Sequence, residues 1–186
     1  MTHVNRFDVH QRRSPISTEI STQVNFEAIH ARAELSVRRL AARTDTEVLT
    51  ALALRAEMAG WVKPTFLDAL ITRELNYPPG LPTPIAVAIP PADVEHVINP
   101  GLGIALLDNP VAFGEMGGSG ATVAAQVVVL ILVSDPHSQL TMLTRLVELF
   151  QTDGWYETLS LASDENELAD TFDRLMSELS MSELST

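Results

Sequence analysis

The sequence predicts an α/β domain with helices on both faces of a small sheet, and three observations predict it. Apolar residues recur at helical spacing in several stretches. Between those stretches lie short, dense apolar runs bounded by Pro, Gly or Asn. The two kinds of segment alternate along the chain. Taken in order, residues 1–23 are polar, lack a hydrophobic period and include Pro15, which reads as a flexible arm. Asp45 can cap a helix whose apolar positions Val48, Leu49, Leu52, Leu54 and Met58 recur at helical spacing, with Gly60 placed to end it. Pro64 opens a second helix, with Phe66, Leu67, Leu70 and Ile71 as its inward stripe and Arg73 and Glu74 in its last turn. Tyr77-Pro78-Pro79-Gly80 stops it. The runs 85–89 (IAVAI), 103–107 (GIALL) and 127–133 (VVVLILV) are too short for helices and too dense to be exposed, so they read as strands buried on both faces. Pro136 opens an amphipathic helix with Leu140, Leu143, Leu146, Val147 and Phe150 inward. A last helix starts near Asp164 with Leu168, Phe172 and Leu175 inward, and the repeated Met-Ser-Glu-Leu-Ser of 176–186 extends it as a low-complexity tail.

The bulk composition agrees with one domain over residues 24–175. A chain of 186 residues with 46% hydrophobic content is long enough for one buried core and short for two. The longest apolar stretch, Val123 to Val133, falls well below the roughly 20 residues a membrane span needs. No secretory signal or anchor is readable at the N-terminus, so the expectation is a cytoplasmic protein without direct membrane insertion. With no cysteine, disulfides, thiolate metal sites and cysteine nucleophiles are excluded. The net charge of −12 is uneven: residues 75–186 hold two Lys/Arg against fifteen Asp/Glu. Such a surface repels phosphate backbones, which argues against nucleic acid as a partner and reads as solubility.

Five histidines are the natural candidates for phosphoryl or proton chemistry. His3 and His10 fall in the arm and His30 in an early helical stretch, which leaves His96 and His137. His96 follows Pro90-Pro91-Ala92-Asp93-Val94-Glu95, where a strand gives way to an expected helix whose first N–H groups could hold an anion. The alternative is a solvated histidine in the first turns of that helix, and His137, just after Pro136, has the same alternative. Asp93, Glu95 and His96 lie too close in sequence to make a metal site without a second cluster, and none is visible, so no metal or cofactor is expected. Gly117-Gly118-Ser119-Gly120 lacks the Gly-Lys-Ser/Thr ending of a nucleotide loop and reads as a flexible turn. Ser119 has no hydrolase context.

Three blocks carry a resemblance: Gly60-Trp61-Val62-Lys63-Pro64-Thr65-Phe66, then Ile71-Thr72-Arg73-Glu74-Leu75-Asn76-Tyr77-Pro78-Pro79-Gly80-Leu81, then Pro84-Ile85-Ala86-Val87-Ala88-Ile89-Pro90. The chain resembles the fructose–mannitol class of enzyme IIA domains of the bacterial sugar phosphotransferase system. Glu95-His96-Val97, Asn109-Pro110-Val111-Ala112-Phe113 and Met116-Gly117 look most like its galactitol-like members. The resemblance covers roughly residues 24–175 and implies a three-layer α/β/α sandwich with a small mixed sheet. It also implies phosphoryl relay from an HPr-like phosphocarrier to a sugar-specific enzyme IIB. In that scheme the histidine after Ile-Pro is the phosphoacceptor, and the matching residue here is Pro91, which has neither a nucleophilic atom nor a backbone donor. A second polar position falls on Gln139, and Arg73 matches an arginine that helps bind phosphate, its alternative being a helix-terminal arginine facing the dipole.

Two functions follow. One is a phosphocarrier, impaired at Pro91 or working through a displaced acceptor such as His96. The other is a non-phosphorylatable relative that binds relay partners or another protein. Arg73, Pro91, His96 and Gln139 are expected around one shallow depression, with His96 about 7 Å further along the expected helix than the position of the lost acceptor.

Overall fold

The computed structural model describes residues 29–183, with side chains through residue 179. The arm read over 1–23, with His3 and His10, therefore lies outside the described residues. From the N-terminal side, a bridge from Ala31 to Leu102 and a 3-10 turn at Ala33–Leu35 lead into β1 (Val37–Leu40). Two helices follow, α1 (Asp45–Met58) and α2 (Phe66–Asn76), then the short strands β2 (Gly80–Leu81) and β3 (Val87–Ala88). The long strands β4 (Gly101–Gly114) and β5 (Thr122–Leu132) come next, and α3 (Pro136–Leu149), α4 (Trp155–Ser160) and α5 (Glu165–Glu183) complete the order.

The sheet runs β1-β4-β5-β3-β2 and is mixed, with β1 parallel to β4, β3 parallel to β5, and the β4–β5 and β2–β3 pairs antiparallel. Because side chains alternate along a strand, β5 sends Val127, Val129 and Ile131 to one face and Val128, Leu130 and Leu132 to the other. The first set packs with α3, α4 and α5 through Leu146, Phe150, Trp155 and Phe172. The second packs with α1 and α2 through Leu49, Leu52, Phe66 and Leu70. The α/β/α sandwich with a small mixed sheet is what the sequence predicted.

Several elements differ from their expected form. The cap of α1 is Thr44, whose side chain accepts the N–H of Glu47 at 3.2 Å, while Glu47 Oε2 accepts the N–H of Arg43 at 2.6 Å. This reciprocal pair makes Asp45 the first helical residue. Leu54 and Met58, expected inward, are 45% and 89% exposed, and Ala53 and Ala56 take their place in the core. Pro64 lies in the turn before α2 and not in the helix. The run 85–89 pairs as a strand only over Val87–Ala88, whereas the other two runs belong to a hairpin much longer than the apolar stretches. Its turn is the Gly117–Gly120 stretch, closed by Glu115 N–H donating to Ala121 O at 2.9 Å. Between Leu106, opposite Val127, and Val111, opposite Ala125, β4 carries extra residues that β5 lacks, and this bulge accommodates Pro110. In α3 the buried face is Ser138, Met142, Leu146 and Leu149, so Leu140 stands 64% exposed. The last helix runs through Met176, which is buried, to Glu183.

Gly80 explains why β2 can approach the hairpin. A Cβ there would sit 2.5 Å from Val123 Cγ2 and 2.6 Å from Gly114 O, so only glycine fits. At the other end of the sheet, the outward N–H of Arg38 in edge strand β1 donates to Glu165 Oε1 at 3.3 Å, and Arg38 Nε donates to Ala162 O. The linker between α4 and α5 thus covers that edge.

Candidate functional site

One side of α2 and the segment after β3 enclose an open depression of about 460 Å³. Thr65, Asp68, Ala69, Thr72, Arg73 and Asn76 recur at three- and four-residue spacing and so form a single stripe along α2, which is one wall. Tyr77, Asp93 and His96 supply the rest. The expected helix after Pro91 is only a 3-10 turn, Val94–His96. No α-helix N-terminus stands there to hold an anion, and the helical spacing expected between Pro91 and His96 does not apply. The turn is fixed instead by the strand-like segment before α2. Val62 bridges Val97, Lys63 N–H donates to His96 O at 2.9 Å, Ile98 N–H donates to Trp61 O at 2.8 Å, and Lys63 Nζ donates to Glu95 O at 2.6 Å.

Arg73 lies in the last turn of α2, and its Nη1 donates to Asp93 Oδ1. Its guanidinium carbon lies 5.3 Å from the Tyr77 ring centroid, while its Nε is buried without a hydrogen-bond partner. Both members of the pair stay partly open to the depression, at 29% and 38% side-chain exposure. Next to Arg73, Glu74 turns toward α1. Burial, and secondly the charge of Asp45, push its carboxyl up to about 7, and Oε2 is buried without a hydrogen-bond partner.

The four sites singled out in the sequence divide unevenly. His96 lines the depression with Arg73, and its Nδ1 is 2.8 Å from Thr65 Oγ1. Gln139 and Pro91 do not line it. Gln139, in the first turn of α3, reaches under the loop to donate from Nε2 to Ala92 O at 2.8 Å, between Pro91 and Asp93. Pro91 continues β3 and bridges Ile131 of β5. The four therefore sit around one loop, in contact with the depression (Arg73, His96) or behind it (Pro91, Gln139). Asp135 holds the start of α3 under this loop by accepting the N–H and Oγ–H of Ser138. Those two bonds, the side-chain one first, hold its carboxyl below the usual carboxylate range. His30 is not helical, and its Nδ1 pairs with Asp173 Oδ2 at 3.0 Å on the opposite face. Among the described residues no group of three His, Cys, Asp or Glu side chains is gathered to hold a metal ion.

Sequence reasoning passed over Asp93 except as part of a discarded metal triad. Its pairing with Arg73 joins two elements and leaves no trace in spacing. The one signal was the placement of an acid between the Ile-Pro motif and His96.

The family described as phosphoenolpyruvate-dependent sugar phosphotransferase system, EIIA 2, matches residues 30–174, and the chain belongs to this family. Its fold is similar to that of enzyme IIA of the mannitol system from Escherichia coli in its complex with phosphorylated enzyme IIB, with a TM-score of 0.62, 21% identity, and coverage of 81% of this chain and 99% of that one. The crystal structure of the Escherichia coli mannitol IIA gives a TM-score of 0.60 at 22% identity over 78% of this chain and 97% of that one. The nitrogen regulatory protein IIA-Ntr from Neisseria meningitidis gives 0.56 at 17% identity over 80% and 98%. No curated protein matches the chain in sequence. No helix among the described residues is long and apolar enough to cross a membrane.

Proposed function

We propose that the chain is a galactitol-like enzyme IIA component of a cytoplasmic sugar phosphotransferase relay, a partner of an HPr-like phosphocarrier and of enzyme IIB, impaired because Pro91 stands in the place of the phosphoacceptor. What supports this reading is the placement of an arginine at an open depression beside a loop whose expected phosphoacceptor position is a proline. Arg73 faces the depression from the α2 end, and Gln139 braces the adjoining loop. Pro91, which bridges Ile131 next to the Ala92 carbonyl that Gln139 holds, offers no atom on which a phosphoryl group can be placed. Phosphoryl transfer asks the protein mainly for positioning and charge stabilisation, a task the Arg73 guanidinium is suited to once an incoming phosphate takes the place of its carboxylate partner. The chain then acts as a protein-binding or regulatory member of the relay rather than as a carrier.

One observation favours a second reading, a working carrier with His96 as displaced acceptor: His96 shares the depression with Arg73, and its Nδ1 is tied to Thr65. Incubation with phosphoenolpyruvate, the general relay enzyme and HPr, read by intact mass, separates the two. No phosphate mass shift is expected for the wild-type chain, and Pro91→His is expected to gain one. A shift in the wild-type chain that vanishes in His96→Ala overturns the proposal in favour of the carrier.

A further inference from the structure

We infer that Asp93 is the resident anion of Arg73: its carboxylate occupies the guanidinium face that a phosphate group would take, so that an incoming phosphate binds only by displacing it. The inference rests on the reading of Arg73 as the phosphate-binding side chain. Four features carry it. Arg73 Nη1 donates to Asp93 Oδ1, which cancels the local charge that would attract an anion. The pair is not sealed in the core, because both side chains reach the open depression and a solute can meet them there. The carboxylate engages the guanidinium through Nη1, and Nε is buried without a hydrogen-bond partner, so the present pair leaves part of the guanidinium's donor capacity unsatisfied. Finally, the guanidinium keeps a second support in the Tyr77 ring, which holds it near the depression when the carboxylate moves away. Asp93 itself is carried on the short segment between the Pro91 bridge and the 3-10 turn, so its side chain can swing out without unfolding an element.

The alternative role for Asp93 is that of a buttress which positions Arg73 for a ligand. The two roles predict opposite signs. Removing a buttress weakens phosphate binding, whereas removing a competitor strengthens it. Asp68 supplies the control, since it lines the same depression with the same charge and has no bond to Arg73.

The test is calorimetric titration of inorganic phosphate into the full chain at neutral pH and low ionic strength, with thermal unfolding run on every variant. Asp93→Asn is expected to bind phosphate about tenfold more tightly than wild type, Asp68→Asn to change it little, and Asp93→Asn with Arg73→Gln to lose the gain. Should Asp93→Asn fail to fold, Asp93→Ser provides the same measurement. Binding by Asp93→Asn that is equal to or weaker than wild type overturns the inference and makes Asp93 a buttress. An equal gain in Asp68→Asn also overturns it, by assigning the effect to net charge. A gain in Asp93→Asn that survives Arg73→Gln overturns instead the reading of Arg73 as the phosphate ligand.

Discussion

Glu74 shows how much one side chain can set. Its carboxyl lies against α1 near Asp45 with one oxygen buried and without a hydrogen-bond partner, and it holds its proton up to about pH 7 in the folded chain. In the unfolded chain it ionises near 4.5. Between those two values the native state binds more protons than the unfolded one, so stability falls as pH rises from about 4.5 to 7 and then levels. The loss is on the order of 1–2 kcal/mol once solvent screening of this partly buried group is allowed for. Glu74→Gln is expected to remove most of that slope and to be more stable than wild type above pH 7, measured by urea unfolding at several pH values. An unchanged slope in the variant rejects this assignment. At this scale the sequence was only partly legible. Arg73, Pro91 and Gln139 stood out as candidates because short motifs surround them. Asp93 and Thr65 could not, because each acquires its meaning from a partner on another element.

The start of α3 shows what an element needs beyond its hydrophobic stripe. Pro136 at the first helical position was readable, but Asp135 is the residue that satisfies the Ser138 N–H and hydroxyl. Asp135→Ala leaves both donors without that acceptor at a buried serine, and is expected to cost about 1–2 kcal/mol. Because the native carboxyl ionises more readily than an unfolded one, its contribution is present above the ordinary carboxylate range and disappears as pH falls through the folded value. Thermal unfolding of the variant at neutral and at acid pH checks both statements, with a gap between the two proteins that closes in acid. The helices were legible because their periodicity survives inspection, and the inward stripes of α2 and α5 are where spacing put them, while single positions of α1 and α3 were misassigned. Leucines drew the inward face of α3 to Leu140, whereas Met142 and Leu149 hold it. For strands the limitation was different. Apolar density marked part of β4 and β5, while Asp108, Asn109 and Pro110 at the bulge interrupt the middle of β4 with polar and proline residues that spacing reads as loop.

For the molecule as a whole, two covered faces followed from dense strands set between amphipathic helices, and both are present. The order of strands did not follow, since β1 and β2 are too short to stand out and parallel partners are chosen by packing across long stretches of chain. That order has a kinetic consequence. The β4–β5 hairpin joins residues near each other in sequence, whereas Val37 must find Ala105 and Val87 must find Val127. Closing the long loops costs entropy before the parallel pairs return anything, so the hairpin is expected to be structured in the rate-limiting step and β1 to dock after it. In stopped-flow experiments, Val129→Ala should therefore slow refolding, and Val37→Ala should chiefly speed unfolding. The reverse pattern would place the nucleus elsewhere. A chain leaving the ribosome meets the same sequence of events: α1 and α2 are synthesised before the hairpin whose face they cover, and they wait without a sheet until residue 132 has emerged.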